Sequence, residues 1–536
     1  MTVNQKTVQE VIETIPEKYR GPGGAIAVLQ DGKLVGQHVW GFADLDQRIP
    51  LTPETQMPIC SITKQFVCAV LLDLERNPTP AIAAKGDVRK QVTDKLAELL
   101  GPEIIQNSGL TLDNLYDMQS GLRDYWAMTT LWGAHPEQEF LVERDCPPML
   151  ARTKSFHFKP GTEYSYCNVN FHILARALER VAGEPLGKLI ADRVLAPAGM
   201  TTALLCPHTG KHPGPCVGYE GDEKRGFLPA PNRMEWSGDA GLVASLNDMI
   251  AYEKFLDRSY SDPNSWYRAA TEKPTFADGT PAPYHYGLGL SSYSGVDTWG
   301  HGGGLRGYRL LRQHAPAERV SVLVMFNHEA DVGSPTEDIL RAILNLPRPV
   351  VPPVKPAAEW VGTFLDKDTQ LAITVANGTK EGEISISYAG HPETIKLSDA
   401  HHGKSPSMTA TIEGDSLRIH RLKENRQLDA RRIIRDEKFK DASLQGDYQC
   451  AEIESTFHIV GEGAMLYGSF DGYLGRGPVS TMKYLGEDVW VFVCPRGLDA
   501  PAPGDWTVVV RRDAQGSVAG VTIGCWLARR VEFTRM

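Results

Sequence analysis

The feature that most constrains the fold of this chain is a proline-rich segment, PRPVVPPVKP, at residues 347–356. Proline lacks a backbone N–H donor and fixes its φ angle, so this segment cannot be a regular helix or a central strand. Before it, apolar helical stretches alternate with glycine- and proline-rich loops. After it, apolar residues recur at every second position. Residues 346–357 are therefore predicted to link two kinds of architecture, in a chain whose 536 residues suffice for about three domains.

Residues 1–345 are predicted to fold as one mixed α/β (α+β) domain. The stretch 24–42 contains two strand-like runs around Asp31-Gly32, which is a β-hairpin signal. Strand-like runs return at 308–312 and 318–326, after a long helical middle. Because strands come from both ends of this region, we expect an antiparallel sheet flanked by helices. The strongest predicted helices lie at 61–75, 168–184 and 334–345.

The chain after the linker is predicted to form two small antiparallel β-barrels, at residues 358–440 and 441–536. Apolar and polar residues alternate there in short runs separated by turns, as in EISISY at 383–388. A weak internal repeat indicates two similar units, because WVGTF at 360–364 and LQGDY at 444–448 each precede a predicted strand.

Charge and cysteine content narrow the partners and the compartment. The net charge of −10, from 66 acidic and 56 basic residues, disfavours nucleic acid or an anionic membrane surface as the main partner. The N-terminus lacks the apolar core of a signal peptide, and no window approaches the length of a membrane span. The nine scattered cysteines do not indicate a disulfide framework. We therefore expect a cytoplasmic protein.

A Ser-x-x-Lys motif, from Ser61 to Lys64, opens an apolar stretch that is predicted to be helical. One helical turn separates the two side chains, so both lie on the same face near the helix N-terminus. A serine hydroxyl needs a nearby base, and a lysine can serve when its pKa is lowered. A helix cap beside a surface lysine is the alternative interpretation. A second copy, Ser480 to Lys483, lies in a strand-like segment, where the two side chains would point to opposite faces.

Two further motifs carry polar groups that suit a hydrolase, although each alone is equally typical of a loop. Tyr166 and Asn168 precede a predicted helix, where a phenol can relay a proton and an amide can bind a substrate amide. His301 is a proton carrier near neutral pH. It begins a run whose small residues let a substrate backbone approach a strand edge, namely Gly302, Gly303 and Gly304.

In this order the motifs resemble the serine penicillin-recognising hydrolases, a family that includes class C β-lactamases, D,D-carboxypeptidases and related esterases. MQSGLRDYW at 118–126 and GDAGLVASLNDM at 238–249 are also similar to this family. Over residues 20–330 the resemblance implies a β-lactamase-like catalytic domain. It implies that Ser61 is the nucleophile, Lys64 its base partner and Tyr166 a proton relay.

The whole chain resembles a member of this family in which the catalytic domain is followed by two eight-stranded barrels. Similar stretches include PICSITKQFVCAVLLDL at 58–74, YSYCNVNF at 164–171 and GVTIGCWLA at 520–528. The resemblance implies an enzyme without a cofactor that releases N-terminal D-residues from peptides, amides and esters. It also implies inhibition by β-lactams and a homodimer.

Two positions bear on the substrate. His301 stands where many relatives carry the lysine of Lys-Thr-Gly, and a mostly neutral imidazole suits a substrate carboxylate less well than an ammonium group does. Carboxypeptidase and β-lactamase action are therefore disfavoured. The loop CPRGLDAPAPGD at 494–505 is long for a hairpin and contains three prolines. The resemblance implies that this loop enters the catalytic pocket, where Asp499 would bind the substrate ammonium and the loop would exclude longer extensions.

Other interpretations stay open from sequence alone. The same catalytic domain suits an esterase or a D,D-peptidase, and an inactive penicillin-binding scaffold is a third alternative, against which the intact catalytic motifs argue. Four residues of zinc-capable types lie close together, but their spacing is not a common zinc pattern. We interpret them as an accidental loop composition: Cys206, His208, His212 and Cys216.

Overall fold

A computed structural model describes residues 5–348, 354–436, 442–462, 465–494, 496–501 and 503–536. In the N-terminal region, strands from both ends form an eight-stranded antiparallel sheet, which confirms the predicted fold class. In spatial order the strands are Ile49–Pro50, Lys33–Asp44, Gly23–Gln30, Val320–Phe326, Tyr308–Ala315, Val296–Leu305, Leu288–Tyr293 and Tyr284–His285.

The first hairpin shows how the sequence directs this sheet. Gly23–Gln30 and Lys33–Asp44 are joined by Asp31 and Gly32, whose φ angles of 51° and 70° suit a two-residue type I′ turn. Val320–Phe326 pairs with the other edge of Gly23–Gln30. The first strand and the last strand of the region are therefore neighbours in the middle of the sheet.

Helices cover both faces of the sheet. Alternate residues of Gly23–Gln30 belong to different apolar clusters, Ala27 to one and Ile26 to the other, as expected of a strand buried on both sides. Gln5–Lys18 and Gly333–Leu344 pack on the Ile26 face. The remaining α-helices of the region are Thr63–Arg76, Pro80–Ala83, Val88–Leu100, Pro102–Ser108, Leu112–Tyr116, Tyr125–Leu131, Val142–Ala151, Asn168–Ala182, Leu186–Ile190, Ala196–Ala198, Leu246–Ser261 and Trp266–Ala270.

Beyond the linker, the first set of strands closes into an eight-stranded antiparallel barrel, as predicted. Apolar side chains alternate along its strands and fill its interior, which has an apolar cluster of its own. The strands are Gly362–Asp366, Ala372–Asn377, Glu383–Tyr388, His391–Leu397, His402–Lys404, Met408–Glu413, Ser416–Arg421 and Arg426–Arg432.

The second set of strands forms another antiparallel ring of eight, which closes where Ser455–Glu462 pairs with Met465–Gly472. A short strand, Gly475–Arg476, is added at the edge of Met465–Gly472. The other strands of the ring are Gly446–Cys450, Ser480–Gly486, Val489–Phe492, Trp506–Arg512, Val518–Cys525 and Ala528–Arg535. Ser480 and Lys483 thus lie on a strand, as the sequence predicts.

The limits predicted for the three domains stay predictions. Residues 349–353 of the linker and residues 437–441, where the boundary between the barrels is predicted, lie outside the described residues. The last strand of the first barrel ends at Arg432, and the first strand of the second barrel begins at Gly446.

Both barrels are attached by a shared carboxylate to the N-terminal region, residues 5–345, which the resemblance implies is catalytic and which is called the catalytic region below. Glu163 forms ion pairs with Arg426 of the first barrel and with Arg529 of the second, the latter at 2.8 Å. The second barrel also shares an apolar cluster with the catalytic region. In addition, Leu474 N–H donates to the Trp132 carbonyl at 3.1 Å. Each of the two barrels is therefore in contact with the N-terminal region.

Three findings concern disulfide bonds, membrane-spanning helices and metal binding. All nine cysteines are free thiols. None of the helices in the described ranges is long and apolar enough to cross a membrane. Within the same ranges no three histidine, cysteine or acidic side chains are grouped so as to hold a metal ion. In the zinc-like stretch, Cys206 Sγ donates to the Lys211 carbonyl and His208 Nδ1 accepts from Gly210 N–H.

Candidate active site

Ser61 lies in a single 3₁₀ turn, Cys60–Ile62, directly before the helix Thr63–Arg76. The sequence predicts Ser61 near the N-terminus of the helix itself, whereas the structure places it in this tighter turn, just before the helix. A 3₁₀ turn has three residues per turn, so side chains three positions apart are eclipsed. Lys64 accordingly stands over Ser61, and its Nζ donates a hydrogen bond of 3.0 Å to Ser61 Oγ.

The turn that carries Ser61 is strained and held by its neighbours. Cys60 has a φ of 51°, in the left-handed region that residues with a Cβ rarely adopt. The Thr63 hydroxyl donates to the Cys60 carbonyl at 2.7 Å and accepts from Leu242 N–H at 3.1 Å. Gly303 lets the central sheet approach the turn, because a Cβ at this position would lie 2.5 Å from the Ile59 carbonyl oxygen. Of the three predicted glycines, Gly303 therefore has a packing role.

Lys64 is fully buried, and its amino group makes three hydrogen bonds. Nζ donates to Ser61 Oγ at 3.0 Å, to Asn168 Oδ1 at 2.8 Å and to the Asp239 carbonyl at 2.6 Å. Burial lowers the pKa of Lys64 to about 8, against the opposing charges of Asp239 and Asp124. A substantial fraction of the amine is therefore neutral near physiological pH.

Tyr166 lies beside this pair, just before the helix that begins at Asn168. Lys64 Nζ is 4.9 Å from the centre of its ring. Burial raises the pKa of Tyr166 well above its usual value, although a hydrogen bond with the Ser61 side chain opposes the shift. The phenol therefore keeps its proton and is a donor at neutral pH.

His301, on the strand Val296–Leu305, is neutral for a clear physical reason. Burial and then the charge of Lys64 lower its pKa to about 3. Nδ1 donates to the Gly302 carbonyl at 2.5 Å, so Nε2 accepts from the Tyr284 hydroxyl at 2.9 Å. The sequence predicts a proton carrier near neutral pH, whereas burial and the charge of Lys64 favour a neutral, hydrogen-bonding imidazole in that range.

These side chains surround a cavity of about 320 Å³ to which all three parts of the chain contribute. The catalytic region supplies Ser61, Asp124, Trp126, Ala127, Tyr166, Asn168, Trp236, His301, Gly302 and Gly304. The first barrel supplies His391, and the second supplies Ala500, Pro501, Pro503, Trp526 and Leu527. A larger cavity of about 1010 Å³, between Leu100–Ser108 and Lys154–Pro160, contains none of the predicted site residues.

The predicted loop reaches this cavity, but Asp499 is not among the residues that line it. The Asp499 side chain is 3% exposed, and its Oδ2 accepts hydrogen bonds from Thr209 Oγ1 at 3.0 Å, Arg233 N–H at 2.6 Å and Met234 N–H at 3.1 Å. Burial raises its pKa, against these hydrogen bonds. The carboxylate thus anchors the loop on the catalytic region, next to the residues that cover the cavity.

Other described residues of the loop also make contacts that hold them in place. Arg496–Gly497 and Ala500–Pro501 pair as a two-stranded ribbon. Arg496 forms an ion pair of 2.5 Å with Glu220 of the catalytic region, and Arg306 N–H donates to the Asp499 carbonyl at 3.0 Å. These contacts hold Pro501 over the cavity. Its ring lies close to Gly304, because a Cβ added at Gly304 would be 3.2 Å from Pro501 Cγ.

Several cavity residues were not identified from the sequence, among them Asp124, His391 and Trp526. Asp124 lies inside MQSGLRDYW, one of the stretches that resemble the family, but no spacing pattern marks it as part of a site. His391 and Trp526, whose rings are 4.8 Å apart, belong to different barrels. Trp526 lies inside GVTIGCWLA, another stretch that resembles the family, but no spacing pattern marks either residue as part of a site. Only the docking of the barrels brings them to the cavity.

The chain is similar to known proteins over its whole length. Residues 8–345 match the family described as Beta-lactamase, and residues 353–534 match the one described as D-aminopeptidase, domain B. A D-aminopeptidase of Brucella canis is 42% identical over 100% of this chain and 99% of its own. One of Brucella anthropi is 42% identical over 99% of this chain and 98% of its own.

One solved structure shows the fold of the catalytic region. The D-amino acid amidase of Ochrobactrum anthropi SV3, complexed with L-phenylalanine, superposes with a TM-score of 0.50 and 18% identity, covering 63% of this chain and 99% of that one. The fold, the Ser61–Lys64 pair and the family match together define a hydrolase of the β-lactamase-like, penicillin-recognising class. Within this class, the chain belongs to the D-aminopeptidase family.

Proposed function

We propose that the protein is a serine aminopeptidase that releases N-terminal D-residues, such as D-Ala, from peptides, amides and esters. The observation that carries this proposal is the contact of 3.0 Å between Lys64 Nζ and Ser61 Oγ in a cavity covered by a loop of the second barrel. The D-aminopeptidases that are 42% identical along the chain support the reaction class.

Acylation starts with the neutral amine of Lys64, which takes the Ser61 proton as Oγ attacks the substrate carbonyl carbon. The lowered pKa of Lys64, about 8, supports this role. Backbone N–H groups of Ser61 and Gly304 hold the oxyanion that forms. The proton passes from Lys64 through the Tyr166 hydroxyl to the leaving amine, the C–N bond breaks, and the acyl group stays on Ser61.

Deacylation uses the same groups in reverse. A water molecule takes the place of the leaving amine and gives its proton to Lys64 as its oxygen attacks the acyl carbon. The ester bond breaks, Ser61 Oγ regains a proton and the free D-residue leaves. Asn168, whose Oδ1 accepts from Lys64 Nζ, keeps the amine in place through both halves.

The charges in the cavity favour an amine rather than a carboxylate on the substrate. Among the described residues that line it there is no arginine or lysine, and His301 is neutral. Asp124 contributes a carboxylate. Ala500, Pro501 and Pro503 cover the space beyond the acyl group, which favours a single N-terminal residue. Asp499 stays a predicted specificity residue.

The proposal is tested by measuring hydrolysis of the p-nitroanilides of D-Ala, L-Ala and N-acetyl-D-Ala. We expect rapid release of p-nitroaniline from D-Ala p-nitroanilide only. Equal or faster hydrolysis of the N-acetylated compound would favour the esterase or D,D-peptidase alternative. No turnover of any of the three, in a protein that is folded, would favour the scaffold alternative.

Cytoplasmic location, a homodimer and acylation by β-lactams are also part of the proposal. Nine free thiols, seven of them on buried cysteines, suit a reducing compartment. Light scattering during size-exclusion chromatography measures the oligomeric state. Intact-mass spectrometry after incubation with a penicillin tests for an adduct, which peptide mapping should place on Ser61.

A further inference from the structure

The cavity wall contains a buried carboxylate that no cation of the described chain neutralises by an ion pair. Asp124 is 1% exposed and lines the cavity together with Ser61. Within the described residues its hydrogen bonds come from amides alone: Asn168 N and Nδ2 donate to Oδ1 at 2.5 and 3.0 Å, and Ala127 N donates to Oδ2 at 3.4 Å. An unpaired buried charge is costly, so a cationic ligand group would be favourable there.

Oδ2 has capacity to accept this cation. A carboxylate oxygen can accept two hydrogen bonds, and the one bond from Ala127 is longer than the usual 2.9–3.0 Å. Lys64 makes no hydrogen bond to Asp124, because its three N–H groups are donated to Ser61 Oγ, Asn168 Oδ1 and the Asp239 carbonyl. Burial raises the pKa of Asp124 to about 6, which leaves the group ionised at neutral pH.

The chemistry of the substrate limits where its ammonium can lie. In an N-terminal residue the α-nitrogen is two bonds from the carbonyl carbon that Ser61 attacks, so its counter-ion must belong to the same cavity. Asp239 lies nearby, but Ser237 N–H donates to its Oδ1, and the Tyr125 hydroxyl and the Trp126 indole donate to its Oδ2. Asp499 Oδ2 accepts three hydrogen bonds outside the cavity lining.

We propose that Asp124 binds the α-ammonium group of the substrate through Oδ2 and so selects peptides with a free N-terminus. This assignment rests on the proposed aminopeptidase function. Trp126, which also lines the cavity, adds an aromatic ring that can attract the same cation. Asp499 then acts on specificity by holding the loop rather than by touching the amine.

The test compares two esters that differ only in the amine, D-alanyl and propionyl p-nitrophenyl ester, on three proteins. For the wild type we expect a higher kcat/KM with the D-alanyl ester. Asp124→Asn should lower kcat/KM for the D-alanyl ester on the order of 100-fold and change the propionyl ester much less. Asp499→Asn, the matched control, should change both esters by similar factors, because it acts through the loop.

If Asp124 only positioned Asn168 and Lys64, Asp124→Asn would slow hydrolysis of both esters by similar factors. That result would overturn the assignment. Selective loss of the D-alanyl ester in Asp499→Asn instead would assign the amine to Asp499. Asp124→Glu keeps the charge and should retain part of the preference, which provides a second variant if the first does not fold. A wild type that hydrolyses D-Ala p-nitroanilide keeps the aminopeptidase proposal standing in either case, and one that does not overturns both.

Discussion

Lys64 Nζ donates a hydrogen bond of 2.8 Å to Asn168 Oδ1, so its partner at this position is an amide oxygen and not a carboxylate. The amide accepts the N–H without adding a negative charge. Burial can therefore lower the pKa of the lysine to about 8. We therefore expect the residue at position 168 to influence the pH at which the amine loses its proton.

Activity should rise with pH as Lys64 loses its proton. With the propionyl ester, which has no amine of its own, log kcat/KM should rise by about one per pH unit and level off above a pH near 8. Tyr166 keeps its proton and His301 stays neutral over this range, and Asp124, whose pKa is about 6, is ionised above pH 7, so the rise between pH 7 and 8 reports Lys64. A flat profile between pH 5 and 9 would contradict the assignment of Lys64 as the base.

A variant at position 168 tests the same pH dependence. Asn168→Asp places a carboxylate against the amine, which stabilises the ammonium form and raises the pKa of Lys64. The rise should therefore shift to higher pH by about one unit or more, with a lower rate at pH 7. An unshifted profile in a folded Asn168→Asp protein would indicate that another group controls the rate.

Ser61→Ala should abolish turnover while the fold stays intact. Loss of a nucleophile of this kind typically costs about 10⁴-fold or more in rate. The measurement is hydrolysis of D-Ala p-nitroanilide together with the circular dichroism spectrum. Ser480→Ala is the control, because its Ser-x-x-Lys motif lies on a strand of the second barrel, and it should keep normal activity.

Gly303→Ala should be much more harmful than Gly302→Ala. A Cβ at Gly303 would lie 2.5 Å from the Ile59 carbonyl oxygen, in the backbone before the nucleophile, whereas the closest atom to a Cβ at Gly302 is 3.7 Å away. Displacement of the Ser61 turn should lower kcat/KM on the order of 100-fold. Steady-state kinetics and thermal midpoints of both variants check this, and similar effects in the two would refute it.

Replacing residues 496–501 by two glycines should open the cavity. This change removes the ion pair of Arg496 with Glu220, the Asp499 anchor and the cover of Ala500 and Pro501. The ratio of activities on N-acetyl-D-Ala and D-Ala p-nitroanilides should rise at least about tenfold, since longer groups are no longer excluded. Glycine substitutions at Ala514 and Gln515, in an exposed turn of the same barrel, should leave the ratio unchanged.

Arg529→Met should destabilise the protein far more than Arg530→Met. Arg529 is 1% exposed and ion-paired with Glu163, so its loss leaves a mostly buried carboxylate with one cation fewer, at a cost of about 3 kcal/mol. Arg530 is about half exposed and 3.6 Å from Asp368, a pair expected to contribute little. Midpoints of thermal unfolding compare the two, and equal midpoints would show that the Glu163 junction does not stabilise the assembly.

Much of this site could be predicted because its reactive residues lie in short motifs. Ser61 and Lys64 are three positions apart, and Tyr166 and Asn168 are two apart, so local spacing alone brings them together. The hairpin at Asp31-Gly32 and the period-2 strands of the barrels are local signals of the same kind.

The rest depends on contacts between distant parts of the chain, which leave no local pattern. Asp124 acquires its place from hydrogen bonds to Asn168, and Trp526 comes to the cavity only when the second barrel docks. The neutral state of His301 follows from burial and from Lys64, neither of which its own motif encodes. Asp499 was expected to face the substrate, whereas its carboxylate accepts hydrogen bonds from Thr209, Arg233 and Met234.

The cover that the second barrel places on the cavity has a consequence during synthesis. A ribosome makes the chain from its N-terminus, and domains generally fold in that order. Ser61 and Lys64 leave the ribosome before Pro501 and Trp526, which lie much further along the chain in the second barrel. A nascent chain would pass through an interval in which Ser61 is not yet covered, and the proposed selectivity for substrates would be acquired only as the second barrel folds.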